Sequence, residues 1–184
     1  MHNFLTETRE SGRDGWQVRA RADLNSLALE EGARRHGGRA THLLELLRYW
    51  EDLRRGRWAR QDAFMRALPA ALRDRVSYID VTCEDPQDFL LEAHQPNPIK
   101  GLGEELSGRR LKDYPITAHA KYCAVEYIEC RDSRAAHYSL IDQELRGIRR
   151  RYLRLMVPLC DLDGAMTKIA YVYRSLQPPC FTFI

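Results

Sequence analysis

The chain has 184 residues and a mass of 21.5 kDa, the size of one domain with something left over, and folded compactly it would remove about 70% of its extended surface from water, enough for one real core. With 44% hydrophobic and 30% charged residues it is neither disordered throughout nor collagen-like, and 29 basic against 26 acidic residues, a net +3, is too mild to argue for nucleic acid. No apolar run approaches the roughly 18 residues of a membrane helix, and the start, Met1-His2-Asn3-Phe4-Leu5-Thr6-Glu7, lacks the basic-then-apolar order of a signal peptide, so the expected compartment is the cytosol.

Five scattered cysteines (Cys83, Cys123, Cys130, Cys160, Cys180) with no C-x-x-C among them fit neither a disulfide framework nor a structural zinc site; reduced, buried thiols are expected. Apart from Lys100, Lys112, Lys121 and Lys168, every basic residue outside histidine is arginine, the codon bias of a GC-rich bacterial genome, which discounts local arginine clusters as binding signals. Charge is uneven along the chain: residues 77–145 carry 13 acids against 7 bases, and 146–184 carry 7 bases against 2 acids. Such a split suits complementarity within the chain, within a dimer or toward an outside partner.

Residues 1–40 have few large apolar side chains and a Gly-Arg-rich end (Arg34, Arg35, Gly37, Gly38, Arg39), and read as a poorly packed extension with a short helix over Leu24–Glu31. From Thr41 the pattern sharpens. Leu43, Leu46, Leu47, Trp50 and Leu53 recur at three- and four-residue steps as one apolar helical stripe, with Thr41 placed to cap it, Glu45 in its first turn and Gly56 to end it. A second helix is expected over Asp62–Arg75, broken or kinked at Pro69. The period then changes: Val76–Cys83 and Asp88–His94 read as a hairpin around Glu84-Asp85-Pro86-Gln87, stopped by Gln95-Pro96-Asn97-Pro98.

Residues 99–114, punctuated by Gly101, Gly103 and Gly108, suit short helical turns. Pro115 opens a helix over Ile116–Cys130. Strands over Ala135–Asp142, Ile148–Cys160 and Ala165–Ser175 follow, separated by turns at Leu145-Arg146-Gly147 and Asp163-Gly164. In the middle strand Leu153, Leu155, Val157 and Leu159 alternate with Tyr152, Arg154 and Met156, one greasy face and one wetter. This order predicts an α+β domain over residues 41–176: a five-stranded antiparallel sheet with helices on one face and an N-terminal flanking helix, residues 41–75 supplying the N-terminal helices and 177–184 an apolar tail.

Three stretches carry a family resemblance. Leu43 through Arg57, with its Tyr49-Trp50 pair and Arg55-Gly56-Arg57, Glu104-Glu105-Leu106-Ser107-Gly108-Arg109-Arg110-Leu111, and Met156-Val157-Pro158-Leu159 with Asp163-Gly164 resemble the small PAS-like family common in alphaproteobacteria. The element order is likewise that of a PAS domain, and the likeness covers about residues 41–176. One departure stands out: the family's Arg-x-x-Gly-Thr run, in the second strand and after it, is replaced by Phe89-Leu90-Leu91-Glu92-Ala93-His94-Gln95-Pro96-Asn97. The resemblance implies a cytoplasmic sensor or interaction module without enzymatic activity, pairing as a homodimer through the helix in front of the sheet.

His119 and Cys123 stand four apart on the crossover helix, with Tyr127 one turn on, a spacing that could put two metal ligands on one face. Haem-binding PAS sensors hold iron from a histidine on this helix, which makes a haem sensor through His119 one alternative by analogy; the other is that His119 packs near the helix start while Cys123 fills the core. No metal site and no cofactor is expected on the residues themselves. A light-oxygen-voltage flavin sensor needs a cysteine before the crossover, and residues 99–114 contain none. Phosphate-loop, zinc-protease and nucleophile-elbow motifs are absent, so no catalytic residue is expected. Arg146 with Arg149, Arg150, Arg151 and Arg154 invites a phosphate-binding reading, but on a strand Arg149 and Arg151 point opposite to Arg150 and Arg154, so the group reads as a solvated strand end, or as contacts for an acidic partner or the acidic half of the domain.

A mostly apolar pocket with polar handles is expected between the crossover helix and the sheet, lined by His119, Cys123, Tyr127, Tyr138, Leu140, Leu153, Leu155, Ile169 and Tyr171, for a small apolar or amphipathic ligand. The alternative is a filled core and a structural adaptor acting through protein contacts alone. The stripe Leu43, Leu46, Leu47, Trp50 and Leu53 is expected to dock on the domain or on a second copy.

Overall fold

The computed structural model of the protein describes residues 5–6, 16–24, 41–93, 106–145 and 148–176. The helix expected over 24–31 beyond Leu24, the Gly-Arg end of the extension, the Gln95-Pro96 strand stop, the turns of 99–105, residues 146–147 and the tail 177–184 lie outside them.

In chain order the elements are β1 (Leu5–Thr6), β2 (Trp16–Leu24), α1 (Thr41–Arg54), α2 (Gln61–Ala67), α3 (Ala70–Arg73), β3 (Ser77–Asp80), β4 (Leu90–Ala93), β5 (Arg109–Arg110), α4 (Thr117–Ser133), β6 (His137–Leu145), β7 (Ile148–Cys160) and β8 (Met166–Ser175), with 3-10 turns at Pro86–Asp88 and Leu111–Asp113. The expected second helix is divided at Leu68-Pro69 into α2 and α3, because proline has no amide to continue the hydrogen-bond ladder. Thr41 is itself the first residue of α1, and Glu45 falls beyond the first turn rather than within it. Past Arg54 the backbone turns left-handed at Arg55 and Gly56 and the helix stops. Gly164, at φ +86, makes the tight β7–β8 turn, where the Asp161 carboxylate accepts from the amides of Asp163 and Ala165.

All pairings in the sheet are antiparallel, in the order β1-β2-β6-β7-β8-β3-β4-β5. The five expected strands form its centre, extended by the two-residue β5 at one edge and by β2 and β1 at the other. The stretch taken as a poorly packed extension thus contains a nine-residue strand paired along β6 from Trp16↔Leu145 to Leu24↔Tyr138. Its sequence alternates with period two, Trp16, Val18, Ala20, Ala22 and Leu24 against Gln17, Arg19, Arg21 and Asp23. Small alanines made that alternation easy to overlook.

Helices cover both faces of the sheet, not one. On the first face Leu43, Leu46, Leu47 and Trp50 of α1, Phe64 of α2 and Leu72 of α3 pack with Leu153, Leu155, Val157 and Leu159 of β7 and with Ala170 and Val172 of β8. On the second, α4 packs through Ala120, Cys123, Ala124, Tyr127 and Cys130 onto Ile79, Leu91, Met156, Ile169 and Tyr171. The reason is chemical matching: apart from His42 near its start, the buried stripe of α1 is apolar and takes the aliphatic face of β7, whereas the buried stripe of α4 contains His119 and Glu126 and takes the face bearing Arg154. Of the two destinations open to the α1 stripe, it occupies its own sheet. Leu43 and Leu46 have no exposed surface, Trp50 retains 2%, and Leu53 is half-buried at the cluster's margin.

Trp50 also caps an irregular edge. Pairing of β6 with β7 ends at His137↔Met156, so Pro158 lies where an amide would have no strand to donate to, and its carbonyl accepts the Trp50 indole N–H at 2.9 Å. The loop after α1 closes the rest of that edge through Cys160 N–H to Ala59 C=O at 2.9 Å. The central strand order, second-first-fifth-fourth-third with a helix bridging the second and third, is a PAS-like fold.

Leu46→Ala is expected to cost about 2–5 kcal/mol in denaturant unfolding, and Trp50→Phe about 1–3 kcal/mol because it orphans the Pro158 carbonyl. A second test concerns His42, whose Nε2 lies 3.2 Å from the Tyr173 carbonyl and ties α1 to β8. Burial holds its pKa below the ordinary 6.5, Arg75 and Arg174 pushing the same way, while the hydrogen bond to Tyr173 and Glu45 oppose them. The unfolded chain therefore binds this proton first. Stability should be full above pH 6.5 and fall as the pH drops below it, and His42→Gln should flatten that slope.

Candidate functional site

Strand alternation sorts the phenols. Tyr49, Tyr78 and Tyr138 belong to the α1 face, and the other six tyrosines, Tyr114, Tyr122, Tyr127, Tyr152, Tyr171 and Tyr173, gather on the α4 face. Among them α4 sends in Glu126, fully buried, and β7 sends in Arg154, 5% exposed, and the two form an ion pair. Ser77 of β3, Tyr171 of β8, Tyr127 and Cys123 of α4 and Arg154 of β7 are all buried side by side across this space. The Tyr127 and Tyr171 rings lie 6.1 Å apart, and the Tyr152 hydroxyl donates to Gln143 Oε1 at 3.3 Å on the same face.

Burial dominates the electrostatics. It raises the Tyr114, Tyr127, Tyr152 and Tyr171 hydroxyls above the ordinary phenol value, so all are neutral donors at physiological pH. It likewise pushes the Cys123 thiol up to about 12 against the pull of Arg154, leaving a protonated, unreactive sulfur. For Arg154 burial opposes the cation, but Glu126 and the neighbouring phenols outweigh it and hold the guanidinium charged. Arg154 Nε is buried with no hydrogen-bond acceptor among the described residues.

Of the nine residues expected to line one pocket, the structure brings together five. His119, Cys123, Tyr127, Ile169 and Tyr171 share the α4 face. Tyr138, Leu140, Leu153 and Leu155 point to the opposite face and pack under α1–α3. Their places are taken by Glu126, Ser139 and Gln143, which the sequence reading did not single out, and by Tyr152 and Arg154, which it put on the wetter face of their strand and not in a pocket. Arg154 is no part of a solvated strand end; Arg149 and Arg151 are, and both reach Asp142, at 2.5 and 3.6 Å. The missed signal was positional, since Glu126 stands three residues after Cys123 on the inward stripe and Arg154 alternates in register with Met156.

His119 does pair with Cys123, Nε2 to Sγ at 3.5 Å, and its ring meets Tyr114 edge-on at 5.3 Å. This arrangement does not fit a haem: the nitrogen an axial ligand would offer to iron points at a thiol of its own helix, and an aromatic ring packs beside it. For a smaller metal the pair lacks company, because no group of three metal-ligating side chains exists among the described residues.

No protein-family model matches the chain, and no curated protein matches it. Among solved structures it is similar to the PAS domain of Bordetella pertussis BvgS, at 15% identity and a TM-score of 0.48 over 64% of this chain and 88% of that one. It is also similar to VqmA bound to DPO (15%, TM-score 0.39, covering 63% of this chain) and to the Vibrio cholerae VqmA dimer, a LuxR-type receptor (15%, 0.38, 64%). The chain spans 56% and 50% of those two longer proteins.

The interior pair gives a direct test. Glu126→Leu alone should cost about 3–5 kcal/mol, because it strands a buried guanidinium, while the double variant Glu126→Leu/Arg154→Met should regain most of that loss. Equal destabilisation of single and double variants in urea melts would show that the two charges are not coupled.

Proposed function

We propose that this protein is a PAS-type sensor or signalling module, without catalysis of its own, that takes a small ligand between α4 and the sheet and reports its presence to a protein partner. One observation carries the reading: an ion pair, the Gln143 amide, the Ser139 hydroxyl and six tyrosines fill a place where aliphatic packing would be the more stable choice. Polar groups retained inside a core at such cost suit recognition of a small amphipathic molecule, whose polar end would meet Arg154 or Glu126 and whose apolar body would lie along Tyr127, Tyr171 and Ile169. Because the pair spans from helix to strand, a ligand that competes for either charge changes how α4 sits on the sheet, a two-state packing shift rather than a chemical step.

No helix among the described residues is long and apolar enough to cross a membrane; the cytosol is the compartment we propose. Pairing of two copies through α1 would have to use the side opposite the Leu43–Trp50 stripe, since that stripe is buried in its own chain. The second reading, a structural adaptor with a filled core, is favoured by the near-complete burial of Tyr127, Met156, Ile169 and Tyr171.

A thermal-shift screen of small carboxylates, amines and phenols separates the two readings. A ligand at 100 times its dissociation constant adds about 2.7 kcal/mol, and the shift should vanish in the folded Glu126→Leu/Arg154→Met variant. A hit whose shift survives in that variant binds elsewhere and sinks this assignment, as does a screen without hits.

A further inference from the structure

The described surface carries one aromatic side chain that the core does not use. Trp58, in the loop after α1, is 43% exposed, and the Arg134 guanidinium lies 5.1 Å above its ring. Arg55 and Arg57 flank it, both exposed, and neither side chain makes an ion pair or hydrogen bond among the described residues. The Cys160 to Ala59 hydrogen bond ties the loop to the end of β7, just before the β7–β8 turn, and Leu162 on that turn is 76% exposed. Arg60, Gln61, Asp62, Asp161, Leu162 and Asp163 line an open cleft there.

The backbone marks the same place. Among the described residues the left-handed positions that are not glycine are Arg55, at φ +36, and Arg134, at φ +55. Arg134 occupies the end of α4, where glycine is the favoured residue. Such strain persists where the side chain is needed; Arg134 presents its cation over the Trp58 indole, and Arg55 stands exposed three residues before that indole in the loop after α1.

We propose that this surface docks a short acidic, partly apolar segment of a partner protein: carboxylates on Arg55, Arg57 and Arg134, an apolar side chain against Trp58 and Leu162. Mixed charge favours a protein segment over a polyanion: Asp62 is paired with Arg60 and Arg66, while Asp161 and Asp163 on the β7–β8 turn oppose an unbroken run of phosphates more than a segment whose acids alternate with apolar residues. The inference rests on the signalling reading and names where its partner sits. It is measured apart from ligand uptake, so either can fail alone.

The test uses the full chain and fluorescence anisotropy with three labelled probes: a peptide alternating glutamate with leucine and phenylalanine, its lysine counterpart, and a single-stranded oligonucleotide of matching charge. The acidic peptide should bind with salt-sensitive affinity, and the other two at least about tenfold more weakly. Arg55→Glu/Arg57→Glu and Trp58→Ala should each weaken the acidic peptide by about tenfold or more, the charge reversal leaving the melting temperature unchanged. Arg134→Gly should raise the melting temperature, by relieving the left-handed arginine, and still weaken the peptide. A purely structural Arg134 would not separate those two effects. Failure of the acidic peptide to bind, equal or tighter binding of the oligonucleotide, or variants that bind like the parent chain would each overturn the proposal.

Discussion

The fold turns on the alternation of β7. Leu153, Leu155, Val157 and Leu159 face one way and Tyr152, Arg154 and Met156 the other, so a single strand sets the chemistry of both layers packed against the sheet. A one-residue slip would put Arg154 among the leucines of α1 and a leucine opposite Glu126, burying two uncompensated charges. Register in this sheet is therefore enforced by ionic chemistry on one side and by aliphatic packing on the other.

The same division explains how a domain of this size supports a polar interior. The three N-terminal helices and their aliphatic face form an ordinary core, with Phe64, Leu43, Leu46 and Leu72 wholly enclosed. A fully buried aliphatic or aromatic side chain contributes about 1.5–3 kcal/mol. That layer supplies stability, which leaves the α4 side free to hold Glu126, Arg154 and a set of phenols that a minimal core would exclude. The aliphatic layer and the polar layer are separated by the thickness of one sheet, so α4 packs on strands whose other surface carries α1.

Edges are managed with equal economy. Pro158 interrupts β7 only where β6 has ended, and Trp50 takes the carbonyl left over. On the far side β2 pairs along β6, so the edge of the expected five-stranded sheet is closed by the chain's own N-terminal strand. At the other edge β5 is two exposed arginines long, too short and too charged to recruit another strand.

Read by itself, the sequence determined the elements and their kinds. Period-two alternation located the five central strands, Pro69 divided a helix, Asp163-Gly164 made a hairpin, and the Leu43–Trp50 stripe announced a docked helix; each is a local signal, written in residues a few positions apart. It also held the alternation of β2, diluted by alanines into something that looked unstructured. Only the tertiary structure decided which layer covers which face. Alternation states that Leu153 and Leu155 share a side, not whether α1 or α4 lies over it, and so the expected pocket mixed residues from both faces of the sheet. That choice is made by matching distant side chains, an apolar stripe to an aliphatic face and Glu126 to Arg154. Complementarity between segments far apart in the chain leaves no periodicity to read.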